Sequence, residues 1–158
     1  MENPLNSLSY AGFWRRLVAY LIDTAILSVV ALIILVPTVL LLGLGAAATE
    51  TESGEPGPGL GLGILIALVG VGLVLLLNWL YFALMESSSK GATLGKMAIG
   101  IRVTDLQGRR ISFGRATGRY FAKLFSSMIF GIGYLMAAFT QQKQALHDMV
   151  AGCLVTKP

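Results

Sequence analysis

The chain has 158 residues and a formal charge of +4; 55% of its residues are hydrophobic and only 13% are charged. Ordinary soluble domains carry about 25% charged residues, and with a mean hydropathy of +0.74 a water-soluble globule is nearly excluded. The basic balance does not point to nucleic acid, because most of the chain is uncharged apolar sequence, and the single cysteine, Cys153, excludes an internal disulfide and any multi-cysteine metal or redox motif.

Two apolar runs set the class. Residues 17–43 form a 27-residue run with one charge, Asp23, and residues 60–85 form a 26-residue run with none. A helix needs about 20 such residues to cross the hydrocarbon, so each run predicts a transmembrane helix with some tilt. The first run follows Arg15 and Arg16 and precedes three alanines, as a cleaved signal would. A signal's apolar core is only about 7–15 residues long, and this run far exceeds that. The connection, residues 46–59, carries Glu50, Glu52 and Glu55 and is rich in glycine and proline, the composition of a mobile loop.

Residues 86–123 are the opposite in charge: Lys90, Lys96, Arg102, Arg109, Arg110, Arg115, Arg119 and Lys123 against Glu86 and Asp105. The positive-inside rule puts the N-terminus and this basic module in the cytoplasm and the acidic loop outside. Arg115, Arg119 and Lys123 recur at i, i+4 and i+8, a basic stripe suited to an anionic interface. With Arg109 and Arg110 they form the expected lipid- or partner-facing set. The third hydrophobic segment, residues 121–140, is short and broken by Gly131-Ile132-Gly133. It fits either a third span or a re-entrant helical hairpin.

Within the basic module Ile99, Ile101 and Val103 alternate with polar or small residues, and Asp105-Leu106-Gln107-Gly108 reads as a turn. This predicts a small cytoplasmic β-hairpin with residues 109–112 as the returning strand; residues 153–156 could join it only from the cytoplasmic side. The expected architecture is an all-α membrane protein: a single domain over residues 1–158, two full transmembrane helices, a third span or re-entrant hairpin, and the β-hairpin.

Asp23 is the most informative residue. A carboxylate inside a spanning helix costs about 2.5–3.5 kcal/mol on insertion scales, so it needs a partner or a wet cavity. Arg16 lies about 10.5 Å away along the same helix and leans away from it, so each should find its partner elsewhere. Counting depth along an antiparallel second helix pairs Asn78 with Asp23, and Glu86 with Arg15 or Arg16. Gly91 to Lys96 falls one residue short of a phosphate loop, and Met97 stands where that motif needs Ser or Thr. A tight turn is the expected role there. His147 and Asp148 are adjacent and so do not face each other on a helix. Asp148 can meet Arg16, Arg102 or Arg119 if the C-terminus is cytoplasmic. No nucleophile–base or metal constellation appears, so an enzyme and a cofactor are not expected.

Together these residues resemble the RDD family of bacterial membrane proteins. That family is named for an arginine at the start of the first membrane helix, an aspartate within it and a later aspartate. Residues 13–23 (FWRRLVAYLID) look like its opening signature, with Arg16 and Asp23 in place. Ser87-Ser88-Ser89, Thr93-Leu94-Gly95-Lys96 and Gly100-Ile101-Arg102-Val103 match its central stretch, and Ala145-Leu146-His147-Asp148 with Ala151-Gly152 its closing one. The resemblance covers residues 11–157. It implies a multi-pass protein of the bacterial plasma membrane and a transport role, sodium/proton exchange having been suggested for some members. On this reading Arg16, Asp23 and Asp148 are the functional polar residues and the candidates for ion coupling, with Arg15, Asn78 and Glu86 in support. Two or three helices can hardly enclose a path, so transport implies a homo-oligomer, with the moved ion or solute unspecified. The alternative is a membrane scaffold binding a protein partner or anionic lipid through its basic module.

Overall fold

The computed structural model describes residues 9–48, 57–128 and 132–157. The acidic residues Glu50, Glu52 and Glu55 and the glycine Gly131 lie outside the described residues. Among the described residues six helices and two strands follow in chain order: α1 (Phe13–Ala48), α2 (Pro58–Glu86), α3 (Leu94–Ile99), β1 (Arg102–Asp105), α4 (Phe113–Met128), α5 (Ile132–Phe139), α6 (Leu146–Val150) and β2 (Cys153–Thr156). The described chain divides into two compact units, one of residues 25–78 and one that joins the N-terminal residues through Thr24 to Trp79–Pro158.

The first unit contains the apolar lengths of α1 and α2. Both helices are long and apolar enough to cross a membrane. Their outward side chains, among them Leu32, Ile33, Leu40, Leu65 and Leu76, are exposed, as expected of surfaces solvated by lipid rather than water. Two glycines set the approach of the helices. A Cβ at Gly63 would come within 2.8 Å of Leu42 Cδ1, and one at Gly70 within 2.8 Å of Thr38 Cγ2, whereas Gly61 and Gly72 face open space. Small residues are used this way where two membrane helices touch without a hydrophobic driving force. Pro37 lies inside α1 without ending it.

The second unit is built on a small sheet with helices packed on it. Strands β1 and β2 pair antiparallel, Arg102 opposite Thr156 and Asp105 opposite Cys153. Residues 9–11 lie against the other edge of β2: Ala11 N donates to Val155 O at 2.8 Å, Lys157 N donates to Ser9 O at 2.8 Å, and Tyr10 bridges Thr156. The expected hairpin partner is therefore replaced. Residues 109–112 form no strand; the turn closes instead on Asp105, whose Oδ1 accepts from Gln107 N and Arg109 N. That carboxylate satisfies the backbone donors that a returning strand would have used, and the vacant edge of β1 goes to the C-terminal strand. The core under this sheet is small: Ala11, Ala19, Ile101, Val103, Ile111, Ala116, Cys153 and Val155.

The described part of residues 121–140 lies in the end of α4, through Met128, and in α5, Ile132–Phe139, followed by Thr140. Helix α4 is amphipathic in the inverse sense to a soluble helix. Its buried face holds Ala116, Arg119 and Ser126, while Phe113, Phe121 and Phe125 are exposed. The basic stripe inferred from sequence accordingly breaks up. Arg115 points outward, but Arg119 is buried and Lys123 mostly so. Their charges are drawn inward by carboxylates on α2 and α6.

Candidate functional site: two buried acidic centres

The first centre is Asp23, on the inner side of α1 and 1% exposed. Its Oδ1 accepts from Tyr81 Oη at 2.7 Å and from Gly95 N at 2.8 Å, and its Oδ2 bonds Thr93 Oγ1 at 2.6 Å. Tyr81 in turn accepts from Leu94 N at 3.1 Å. Local sequence explains this geometry. Thr93 is the N-cap of α3, with extended φ and ψ, yet its hydroxyl makes no cap bond. The first free N–H groups of α3 are satisfied instead by Tyr81 and Asp23. The carboxylate of one helix thus caps another, in the role a local Ser or Asp ordinarily fills. Gly95 is required by the approach: a Cβ there would land on the carbonyl oxygen of Ala19 and within 2.9 Å of Asp23 Cγ. All three donors to Asp23 are neutral.

Depth counting assigned Asn78 to this place. Tyr81, Thr93 and Gly95 take the carboxylate oxygens instead. The counting failed because it considered only the two long helices, whereas α3 folds back to the same depth. Asn78 itself is half-buried.

The second centre is a chain of ion pairs. Arg16 pairs with Asp148 Oδ2 and also donates from Nε to Ala11 O at 3.0 Å and from Nη2 to Lys143 O at 2.6 Å. Arg119 bridges the two carboxylates, with Nη2 at 2.7 Å from Asp148 Oδ1 and Nη1 at 2.7 Å from Glu86 Oε2. Glu86 Oε1 is shared by Lys96 and by Lys123, the latter at 3.2 Å. Glu86 and Asp148 are each at most 1% exposed. Lys123 also lies over the Phe82 ring, 4.4 Å from its centroid. The expected pairing of Glu86 with Arg15 or Arg16 is corrected: Arg15 is exposed, Arg16 goes to Asp148, and Glu86 takes three other cations. Asp148 does meet Arg16 and Arg119, two of the three partners open to it. Arg102 is exposed on β1.

The electrostatics follow from burial and crowding. Burial opposes the charge on Asp148, but Arg119 and then Arg16 outweigh it and hold the carboxyl well below the usual range. Burial is also the largest influence on Lys96. Glu86 offsets it only in part, Arg119 and Lys123 add to it, and the ammonium is pushed down to about 7. His147 is buried, its Nδ1 has no hydrogen-bond partner among the described residues, and burial lowers it to about 2. It is neutral at physiological pH and serves as packing, 5.1 Å from the Tyr134 ring. Of the outward basic residues, Arg109 holds Asp105 at 3.1 Å, Arg110 donates to Ser87 O, and Arg115 is exposed. Among the described residues no three His, Cys, Asp or Glu side chains gather in one place.

Sequence reasoning missed Tyr81, Thr93, Gly95 and Lys96 as members of the site. Tyr81 lies one helical turn beyond Asn78, which carried a readable signal. Thr93, Gly95 and Lys96 lay in a segment read as a turn alone. It does turn, with Gly91 at φ +61° and its carbonyl accepting from Val103 N, and it then starts the short helix that meets Asp23.

The model of the RDD family matches residues 10–152, and the chain belongs to that family. It is a membrane protein. Among its relatives, a Bacillus subtilis (strain 168) protein designated "Uncharacterized protein YxaI" is 39% identical over 152 residues, covering 95% of each chain. "Uncharacterized membrane protein YteJ" of the same organism is 29% identical over 160 residues, covering 98% of this chain and 85% of that one. A Rickettsia prowazekii (strain Madrid E) protein, "Uncharacterized protein RP437", is 38% identical over 69 residues, 43% of this chain and 38% of its own. No solved structure matches the chain.

Proposed function

We propose that the protein is a subunit of a homo-oligomeric, non-enzymatic carrier in the bacterial plasma membrane, moving a cation or small solute, with Asp23 as the group that exchanges its counter-ion. One observation carries this reading: Asp23 is buried within an apolar helix, and among the described residues it is met only by neutral donors. Glu86 and Asp148 are saturated by fixed guanidinium and ammonium groups, which leaves them no need of a mobile partner. An ionised carboxylate inside lipid without a fixed cation calls for a mobile one, a proton or a metal cation. The Thr93 hydroxyl suits the exchange, because it can donate to an ionised Oδ2 or accept from a protonated one.

The topology belongs to the same reading. That residues 9–11, β1 and β2 share one sheet supports a common side of the bilayer for them, and the charge bias favours the cytoplasmic side. Two helices cross, and α4 and α5 enter without crossing, their exposed phenylalanines in lipid. Re-entry is thus favoured over a third span.

The test is transport in proteoliposomes. Asp23→Asn keeps the shape and hydrogen-bonding capacity of the side chain, so it should abolish cation-driven proton movement while size-exclusion behaviour stays unchanged. A scaffold reading draws support from the outward Arg109, Arg110 and Arg115. It predicts the opposite: charge reversal at Arg109 and Arg110 removes function, and Asp23→Asn does not.

A further inference from the structure

The ion-pair network is over-supplied with cations. Among the described residues Arg16, Arg119, Lys96 and Lys123 face two carboxylates, Glu86 and Asp148, so basic side chains outnumber acidic ones by two in a buried place. Buried charge without a counter-charge is strongly unfavourable. The excess is localised. Every guanidinium nitrogen of both arginines has an acceptor, at Asp148, at Glu86 Oε2 or at a backbone carbonyl, whereas both lysines share the single carboxylate oxygen Oε1 of Glu86, Lys123 lying also over the Phe82 ring. An ammonium has three N–H donors. Among the described residues Glu86 is the one hydrogen-bond acceptor for either lysine, so each has donors unspent. Their side chains are 10% and 17% exposed, so neither is wholly sealed off.

We propose that Lys96 and Lys123 together bind a phosphate-type oxyanion, whose oxygens bridge the two ammoniums and supply the missing negative charge. Lysine serves as a point-charge phosphate ligand, and a tetrahedral oxyanion has acceptors enough for both side chains. Glu86 is the last residue of α2, so the pair sits where an apolar span gives way to headgroups. Phe121 and Phe125, on the same helix as Lys123, are exposed apolar groups against which acyl chains can lie. The phosphate can therefore come from a lipid headgroup or from free phosphate.

The test uses the full chain in a phosphate-free maltoside detergent, with inorganic phosphate as one probe and short-chain phosphatidylglycerol as the other. Thermal unfolding and native mass spectrometry are the readouts. A saturable rise in Tm is expected with at least one probe, with one phosphatidylglycerol retained per subunit where the lipid is the source. A response to phosphatidylglycerol alone assigns the site to lipid; a response to inorganic phosphate assigns it to the free ion. Lys123→Gln should weaken the response about tenfold or more, the cost of one charge-assisted contact. Lys123→Arg should largely keep it, and Lys90→Gln, at an exposed lysine outside the network, should leave it unchanged. If Lys123→Gln does not fold, Lys96→Gln is read in the same way. Absence of any response in the wild-type chain overturns the proposal. So does a response that Lys90→Gln weakens as much as Lys123→Gln, since that would be diffuse surface attraction.

Discussion

Asp23 and the Glu86–Asp148 pair are both buried acids, yet they are stabilised in different ways. Asp23 has three neutral donors arranged around it by a helix end, a tyrosine and a threonine. Glu86 and Asp148 are surrounded by four cations. The difference concerns exchange. A carboxylate gripped by arginine cannot release its partner without stranding a permanent charge, whereas one held by hydroxyl and amide groups can trade a proton for another cation and keep its geometry. The arginine-held arrangement fixes a fold; the arrangement around Asp23 leaves room for chemistry.

The largest predicted effect would sharpen this contrast. Glu86→Gln leaves Lys96, Lys123 and half of Arg119 without their shared anion, which should cost about 3–5 kcal/mol and abolish a cooperative unfolding transition in detergent. Asp23→Asn should cost far less, since Asn can still accept from Tyr81 and Gly95 and donate to Thr93. Equal losses from the two variants would break the contrast.

Next in size is Gly95→Ala. The new methyl group meets backbone at Ala19 and the Asp23 carboxyl, neither of which can turn aside, so a loss of about 1–3 kcal/mol is expected, with Asp23 displaced. Gly72→Ala, in the apolar unit, faces open space and should be close to neutral in the same unfolding assay. Similar in size or slightly smaller, Thr93→Val removes the hydrogen bond to Oδ2 while keeping shape, a loss of about 1–3 kcal/mol that Thr93→Ser should largely restore. If Val is tolerated without loss, Thr93 does not hold the carboxylate.

How legible the two centres were in the sequence differs for a physical reason. The apolar runs could be read because helix length against bilayer thickness is a one-dimensional constraint. The links from Asp148 to Arg16 and Arg119 were readable as possibilities, because buried charges of opposite sign seek each other. The Asp23 centre was not, because backbone N–H groups and hydroxyls occur everywhere in a sequence and only folding selects Gly95, Thr93 and Tyr81. The same limit applied to the sheet. The period of Ile101 and Val103 indicated a strand, but its partner at Cys153–Thr156 depended on Asp105 closing the turn locally. Arg119 and Lys123 were misjudged because i, i+4 spacing gives a face without saying whether water, lipid or a carboxylate lies opposite.

The smallest predicted effect concerns the overloaded end of the network. Burial, reinforced by Arg119 and Lys123 and only partly offset by Glu86, lowers Lys96 to about 7 from its ordinary 10.5. Between those values the unfolded chain binds a proton that the folded chain does not, so folded stability should rise with pH there. Below about 7 both states are protonated and the cost of the buried charge is fully present. The ceiling is about 1.4 kcal/mol per pH unit. In Lys96→Met this contribution is gone, so the difference in unfolding free energy between wild type and variant, followed upward from about pH 7 in phosphate-free detergent, should move in favour of the wild type. A bound oxyanion would restore the favourable field around the ammonium and flatten that slope. A slope of the opposite sign would mean that Glu86 holds Lys96 more strongly than burial repels it, and the network would then have no unmet positive charge at this lysine.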